Sequence, residues 1–397
     1  MNHLSDRINN LTESATLAMA RKSRELSAKG MNIINLSLGE PDFNTPDFIK
    51  EAAVKAIQDN FTKYTPVNGY QDLREAISEK FKRDNQLNYS PEQIIVSTGA
   101  KQSIANVVMS LVNPGDEVII PTPFWVSYEE MVKLAEGKCV FIKTSLESDF
   151  KITEEQLEKA VNAKTKLMIF STPCNPTGSV YTKEELAGIA RVMEKNPGLH
   201  VIADEIYEHI NFMGKHESLA AFESIKDRVI TVNGVSKGFA MTGWRIGFIG
   251  ASKTIADACN KMQGQITSGT CSIAQKAAKA AMLADPKLTL PMREAFLKRR
   301  DLILSLLKDI PGIRTNIPQG AFYVFPEVHS YYGKSYNGQK INNADDLCLF
   351  LLEHGQIALV TGDAFGEPNC IRISYATSED LITEAMKRLK NTLALLK

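Results

Sequence analysis

The sequence predicts an α/β protein: a large domain on a mostly parallel, seven-stranded sheet, followed by a smaller α+β domain. Three observations carry that expectation. Short apolar runs recur between about residues 90 and 250, stretches of helical pattern separate them, and after about residue 285 long helices take over with few strands.

The first 45 residues read as an amphipathic helix followed by N-I-I-N-L-S-L-G-E-P-D-F, an N-terminal arm (1–45) that also belongs to the small domain. Thr45 and Pro46 then serve as N-cap and first helical position for D-F-I-K-E-A-A-V-K-A-I, the entry into the large domain (46–285). Seven candidate strands come next: I-I-V-S (94–97), E-V-I-I (117–120), V-F-I-K (140–143), L-M-I-F (167–170), H-V-I-A (200–203), V-I-T-V (229–232) and I-G-F-I (246–249). Their apolar residues are continuous rather than alternating. That is the pattern of strands buried on both faces. Between them lie helix signals, such as the 3.6-periodic A-K-Q-S-I-A-N-V-V-M-S-L-V after Gly99 and a capping box of Thr182 with Glu185. The small domain (286–397) contains three long helical patterns and the short strands F-Y-V-F and I-R-I-S, with the polar stretch 329–343 as a surface loop.

Composition narrows the function. Lys plus Arg and Asp plus Glu are 46 each in 397 residues, so no global field attracts nucleic acid or an anionic membrane, and recognition is of something small. The six cysteines are scattered without C-x-x-C pairs, which argues against a metal site or a disulfide framework and for a reduced, cytoplasmic setting. The N-terminus lacks an apolar signal region, and no window approaches the length of a membrane span.

The chemistry turns on G-V-S-K-G (234–238). As G-x-S-x-G it is the nucleophile elbow of a serine hydrolase, with Ser236 attacking; as S-K-G it offers Lys237. The elbow requires a helix directly after the serine. The next residues, G-F-A-M-T-G-W-R-I-G, are too rich in glycine for one, and no H-G-G-G occurs to build an oxyanion hole. A reactive lysine requires a desolvated or cation-neighboured place, and Ser236 with Arg245 would add an anion site beside it. A second anion cradle is predicted where S-T-G-A-K-Q-S-I opens a helix, leaving the amides of Gly99, Ala100 and Lys101 free. In V-I-A-D-E-I-Y, a strand delivers Asp204 at its carboxyl end, with Tyr207 three residues on. Such an Asp can simply cap a helix; opposite a pyridine ring it would hold the protonated nitrogen.

Taken together these residues resemble the class I aminotransferases, pyridoxal-phosphate enzymes of the aspartate aminotransferase type. G-V-S-K-G-F-A-M-T-G-W-R-I-G matches the lysine-site signature, and S-L-G-E-P-D-F, K-Y-T-P, S-T-P-C-N-P-T-G, D-E-I-Y and I-R-I-S-Y-A-T occur in the family's order across essentially the whole chain. The resemblance implies the fold type I of pyridoxal-phosphate transferases, Lys237 as the Schiff-base lysine and proton carrier, Asp204 on the pyridine nitrogen, and Tyr207 and Asn175 on the phenolic oxygen. It implies Trp125 stacked on the ring and a phosphate held by Gly99, Ala100, Lys101, Ser236 and Arg245. Tyr64 would reach over from a neighbouring subunit, hence a homodimer with shared sites. For substrate, it implies Arg372 on the α-carboxylate with Asn175 and the backbone of Gly39 beside it, and Lys101 on a second carboxylate.

That set favours aspartate, glutamate and their 2-oxo acids, in a ping-pong transfer from L-aspartate to 2-oxoglutarate. Relatives that also act on prephenate carry a basic residue just before S-A-T, where this chain has Thr12 and Glu13. The alternatives within the fold are transaminases for alanine, aromatic amino acids, kynurenine or prephenate, and β-eliminating lyases. Outside it stand a serine hydrolase and a non-catalytic regulator domain.

Overall fold

The computed structural model describes residues 3–397. All seven candidate strands form one sheet, in the order 94–97, 247–250, 229–234, 200–204, 165–171, 117–121, 138–142. Only Gly247–Gly250 runs against its neighbours; the others point the same way. Successive residues of each strand enter opposite cores. Val201 and Ala203 pack on one face with Met168, Phe170 and Leu186, whereas Ile202 packs on the other with Leu167, Ile169, Val107 and Ile255. Two buried faces are why the runs read as unbroken apolar sequence.

Helices cover both faces, among them Gly99–Leu111 and Lys253–Ile266 on one side and Lys183–Lys195 and Ser272–Leu283 on the other. The capping box before Lys183–Lys195 is formed as its sequence predicts, Thr182 and Glu185 exchanging hydrogen bonds. A separate core joins helices Leu290–Leu307, Ala344–Gly355 and Glu379–Leu393 to a three-stranded antiparallel sheet of Tyr323–Val324, Ile371–Ser374 and Val360–Thr361. The short strand Ile34–Asn35 pairs in parallel with Ile357–Ala358, so the arm before the large sheet is sewn to this second core.

Three local expectations are corrected. Thr45 does not cap the helix Asp47–Gln58: Pro46 occupies the N-cap, and the Thr45 hydroxyl instead donates to Ala240 O at 2.7 Å and accepts from Trp244 Nε1 at 3.1 Å. The edge strand starts two residues earlier than its apolar run, at Lys138, because the register pairs Lys138 with Glu117 and their side chains form an ion pair at 3.2 Å. The stretch 329–343 is structured: a turn at His329–Tyr331 buries Tyr331, and Ser335–Tyr336 forms a hairpin with Gln339–Lys340.

Candidate active site

Five loops leave the carboxyl edge of the sheet after strands Ile94–Ser97, Glu117–Pro121, Thr165–Ser171, His200–Asp204 and Val229–Gly234. That edge is where open α/β sheets bind ligands. The loops and the second core enclose a cavity of about 430 Å³, lined by Gly39, Ala100, Lys101, Trp125, Asn175, Asp204, Tyr207, Ser236, Lys237, Arg245 and Arg372. Residues that sequence reasoning named separately are therefore brought to one place.

After Gly234 the chain enters a turn, with no helix behind Ser236, and no histidine among the described residues lines the cavity to serve that serine as a base. The elbow fails on both counts. The glycines of the motif answer to packing instead. A Cβ on Gly234 would lie 2.8 Å from Ile246 O, and one on Gly238 would lie 2.5 Å from His209 Cδ2. They let the loop pack on protein.

Lys237 Nζ donates to Gly39 O at 2.5 Å, and no carboxylate among the described residues lies within ion-pair distance. Burial, with help from Arg372 and Arg245, pulls the amine down to about 8, while Glu40 and Asp204 pull the other way. The free base is thus accessible near neutral pH. Asp204 ends its strand beside Ser171, its register partner, and accepts from Tyr128 Oη at 2.8 Å and from Ile206 N at 3.2 Å. Burial pushes its carboxyl up to about 6 despite those bonds, so a cation facing it would be strongly favoured. Tyr207 Oη is hydrogen-bonded to Tyr323 Oη at 2.7 Å, and its ring lies 5.7 Å from Lys237 Nζ.

The anion cradle is built from backbone. Helix Gly99–Leu111 has no side-chain cap on its first turn, leaving amides for an anion at the positive end of a 13-residue helix. Gly99 has φ +83°, and a Cβ there would collide with the guanidinium of Arg245, itself held in the left-handed region at φ 58°. Arg245 therefore leans directly over the helix start, and Ser236 lines the same cavity. Lys101 Nζ sits 5.0 Å from the Trp125 ring centroid, and burial together with Arg245 lowers its amine. Trp125 packs edge-on against Tyr128 at 5.4 Å.

Arg372 is 2% exposed, yet no carboxylate among the described residues partners it. Nη1 donates to Asn175 Oδ1 at 2.9 Å and Nη2 to Ser37 O at 2.6 Å, while Nε has no partner. The rings of Tyr323 and Phe365 flank it at 4.6 and 5.0 Å. A buried, under-satisfied guanidinium held in a fixed plane is a receptor for an anion. Asn175 spends its oxygen on this clamp and keeps its amide for the cavity.

Tyr64 stands apart: it is 99% exposed and does not line this cavity. Sequence reasoning missed Tyr128 and Tyr323, which hold Asp204 and Tyr207, and Ser14, Thr16 and Leu17, which close one side. Among the described residues no group of three or more His, Cys, Asp or Glu side chains could hold a metal ion. The donor set fits pyridoxal phosphate: a desolvated amine, a buried carboxylate with raised pKa, and a helix-start anion cradle converge on one cavity.

Fold and site together define an aminotransferase with its cavity at the carboxyl edge of a mostly parallel sheet. Residues 31–389 match the family model for aminotransferase class I and II, and the chain belongs to that family. A probable aspartate/prephenate aminotransferase of Rickettsia bellii is 48% identical over 393 residues, covering 98% of each chain. The aspartate/prephenate aminotransferase of Nitrosomonas europaea is 45% identical, covering 98% of this chain and 100% of its own. The crystal structure of the Rhizobium meliloti aspartate aminotransferase superposes with a TM-score of 0.96 at 38% identity, covering 100% of both chains. That of the Thermus thermophilus aspartate aminotransferase with maleate gives 0.92 at 38% identity, covering 99% of this chain and 100% of its own.

Proposed function

We propose that the protein transfers the amino group of L-aspartate to 2-oxoglutarate, giving oxaloacetate and L-glutamate, by a ping-pong mechanism with pyridoxal 5'-phosphate. The observation that carries this is Arg372, buried without a carboxylate partner and facing the same cavity as a desolvated Lys237. When bound, the cofactor supplies an aldehyde that takes up amines and a pyridine ring that accepts electrons from the carbon being deprotonated.

The chain's own residues do the rest. Asp204 keeps the ring nitrogen protonated, with Tyr128 orienting its carboxylate. The Asn175 amide and Tyr207 hydroxyl donate to the phenolic oxygen, and Trp125 covers the ring face. The amides of Gly99, Ala100 and Lys101, with Ser236 and Arg245, hold the phosphate. Tyr64 of the partner subunit completes that cradle in a homodimer. Arg372 clamps the α-carboxylate of the amino acid, with Asn175 and the Gly39 backbone alongside, and Lys101 meets the second carboxylate. Lys237 Nζ, neutral near its titration point of about 8, removes the Cα proton. In this reading segment 46–285 carries the cofactor, 286–397 with 1–45 brings Arg372 and Gly39 to the carboxylate, and the enzyme works in the cytoplasm.

The relatives' names favour prephenate as an additional acceptor. Against it, Thr12 is bound through its amide and hydroxyl to Glu130 at 2.9 and 2.8 Å, and Glu13 is paired with Arg21, so neither presents a cation. A panel of amino donors against 2-oxoglutarate, oxaloacetate and prephenate tests both readings. Aspartate with 2-oxoglutarate leads if the proposal is right; alanine or an aromatic donor leading would overturn it.

A further inference from the structure

Behind the segments that carry Asp204, Tyr207 and Lys237 lies a group of buried charges that the chemistry above does not use. Glu208 and Lys80 have side chains 3% and 1% exposed and are in direct contact. Asn85 completes the unit, donating to Glu208 Oε2 at 2.7 Å and accepting from Lys80 Nζ at 2.6 Å. Lys80 closes helix Gln71–Lys80, whereas Glu208 lies in the turn after strand His200–Asp204. A buried ion pair is a weak source of stability but a strong positional constraint, because moving either partner strands the other's charge.

The next residue, His209, places Nε2 3.3 Å from Glu208 Oε1 and its ring edge-on to Phe239 at 5.5 Å. Burial pushes the imidazole below its ordinary value, so the ring is neutral beside the carboxylate. Around this pair stand Asp84, 3.9 Å from Lys80, and His216, 3.0 Å from Glu205. On its other side His209 meets the main chain after Lys237. A Cβ on Gly238 would come within 2.5 Å of His209 Cδ2 and 3.0 Å of its Cβ and Cγ, so nothing separates that peptide from the imidazole.

We propose that His209 is a positioning residue for Lys237: its ring, oriented by Glu208 and anchored through Glu208 to Lys80, is the floor on which the Lys237–Gly238 peptide rests. The floor keeps the Lys237 amine against Gly39 O and out of water. The inference rests on the reading of Lys237 as the amine that takes the cofactor, and the test separates the two.

The measurement is competitive acetylation of Lys237 by acetic anhydride in the cofactor-free, full-length protein, read by mass spectrometry as a function of pH. Wild type titrates well below an ordinary lysine. His209→Ala admits water and moves the midpoint up by about one pH unit. His209→Asn, which keeps a polar side chain beside Glu208 but withdraws the ring, shifts it in the same direction and serves if the alanine variant fails to fold. Glu208→Gln, which leaves the His209 ring in place beneath Gly238, stays within roughly 0.3 pH unit of wild type. In parallel, wild type is loaded with pyridoxal phosphate, reduced with borohydride and mapped. Label at Lys237 with an unmoved midpoint in the His209 variants would overturn the positioning role alone. Label at another lysine would overturn the reading of Lys237 itself, and this inference with it.

Discussion

Lys237 Nζ donates to the carbonyl oxygen of Gly39, joining the loop after Val229–Gly234 to a segment nearly two hundred residues earlier in the chain. The contact buries an amine without giving it a counter-ion. Its depressed titration is the cost of that burial, and it has consequences for both function and stability.

Capture of pyridoxal phosphate by the cofactor-free protein requires the neutral amine. The second-order rate of capture, followed by absorbance, is expected to rise with pH through a midpoint near 8 rather than near the ordinary lysine value. Lys237→Ala abolishes both capture at this position and transamination.

Stability carries the same signature with a definite sign. Between about 8 and the ordinary value of 10.5 the unfolded chain holds a proton on Lys237 that the native protein does not, so stability rises with pH across that window. Below it, the native state bears a buried ammonium. Lys237→Met therefore raises the Tm of the cofactor-free protein at pH 7, by the equivalent of about 2 kcal/mol, and the advantage shrinks toward pH 10. Thermal melts of the two proteins at both pH values check it.

Arg372 offers an anion receptor in a fixed plane, so its replacement is felt in substrate binding. Arg372→Ala removes charge-assisted hydrogen bonds worth about 3 kcal/mol, a loss on the order of 100-fold in kcat/KM for every amino acid tried. Arg372→Lys recovers only part of this, since an ammonium cannot reproduce the planar fork. Lys101 acts on the second carboxylate alone. Lys101→Ala lowers kcat/KM for aspartate roughly tenfold and leaves alanine nearly unchanged, as steady-state comparison of the two donors would reveal.

At Gly99 geometry leaves no room. With φ +83° and Arg245 where a Cβ would go, Gly99→Ala strains the helix start and displaces the guanidinium. Affinity for pyridoxal phosphate falls by roughly tenfold or more in equilibrium dialysis, with little change in the far-ultraviolet circular dichroism.

How much of this was legible in the sequence differs by element. The sheet was, because strands buried on two faces must be apolar at every position, and Val201, Ile202 and Ala203 are. Most motif-borne residues of the cavity were too: Lys101, Trp125, Asn175, Tyr207 and Lys237 follow strands whose ends the sequence marks, whereas Arg245 lies just before Gly247–Gly250 and Arg372 inside Ile371–Ser374. Tyr128 and Tyr323 were not. A buried tyrosine in a helix or a short strand reads as core, and only the fold brings their hydroxyls to Asp204 and Tyr207. Thr45 misled for a related reason. Its local pattern matched a helix cap, but tertiary partners at Ala240 and Trp244 claimed the hydroxyl. The stretch 329–343 looked like loop because its polar residues hide a two-residue hairpin, too short to show a period.

Amino transfer from aspartate at Lys237 stands or falls on one half-reaction. The protein is loaded with pyridoxal phosphate, and aspartate is added without an acceptor. A single-turnover conversion of the absorbance to that of the pyridoxamine form is expected, with one oxaloacetate released per site. An unchanged spectrum with aspartate, alongside full conversion by alanine or an aromatic amino acid, would contradict it.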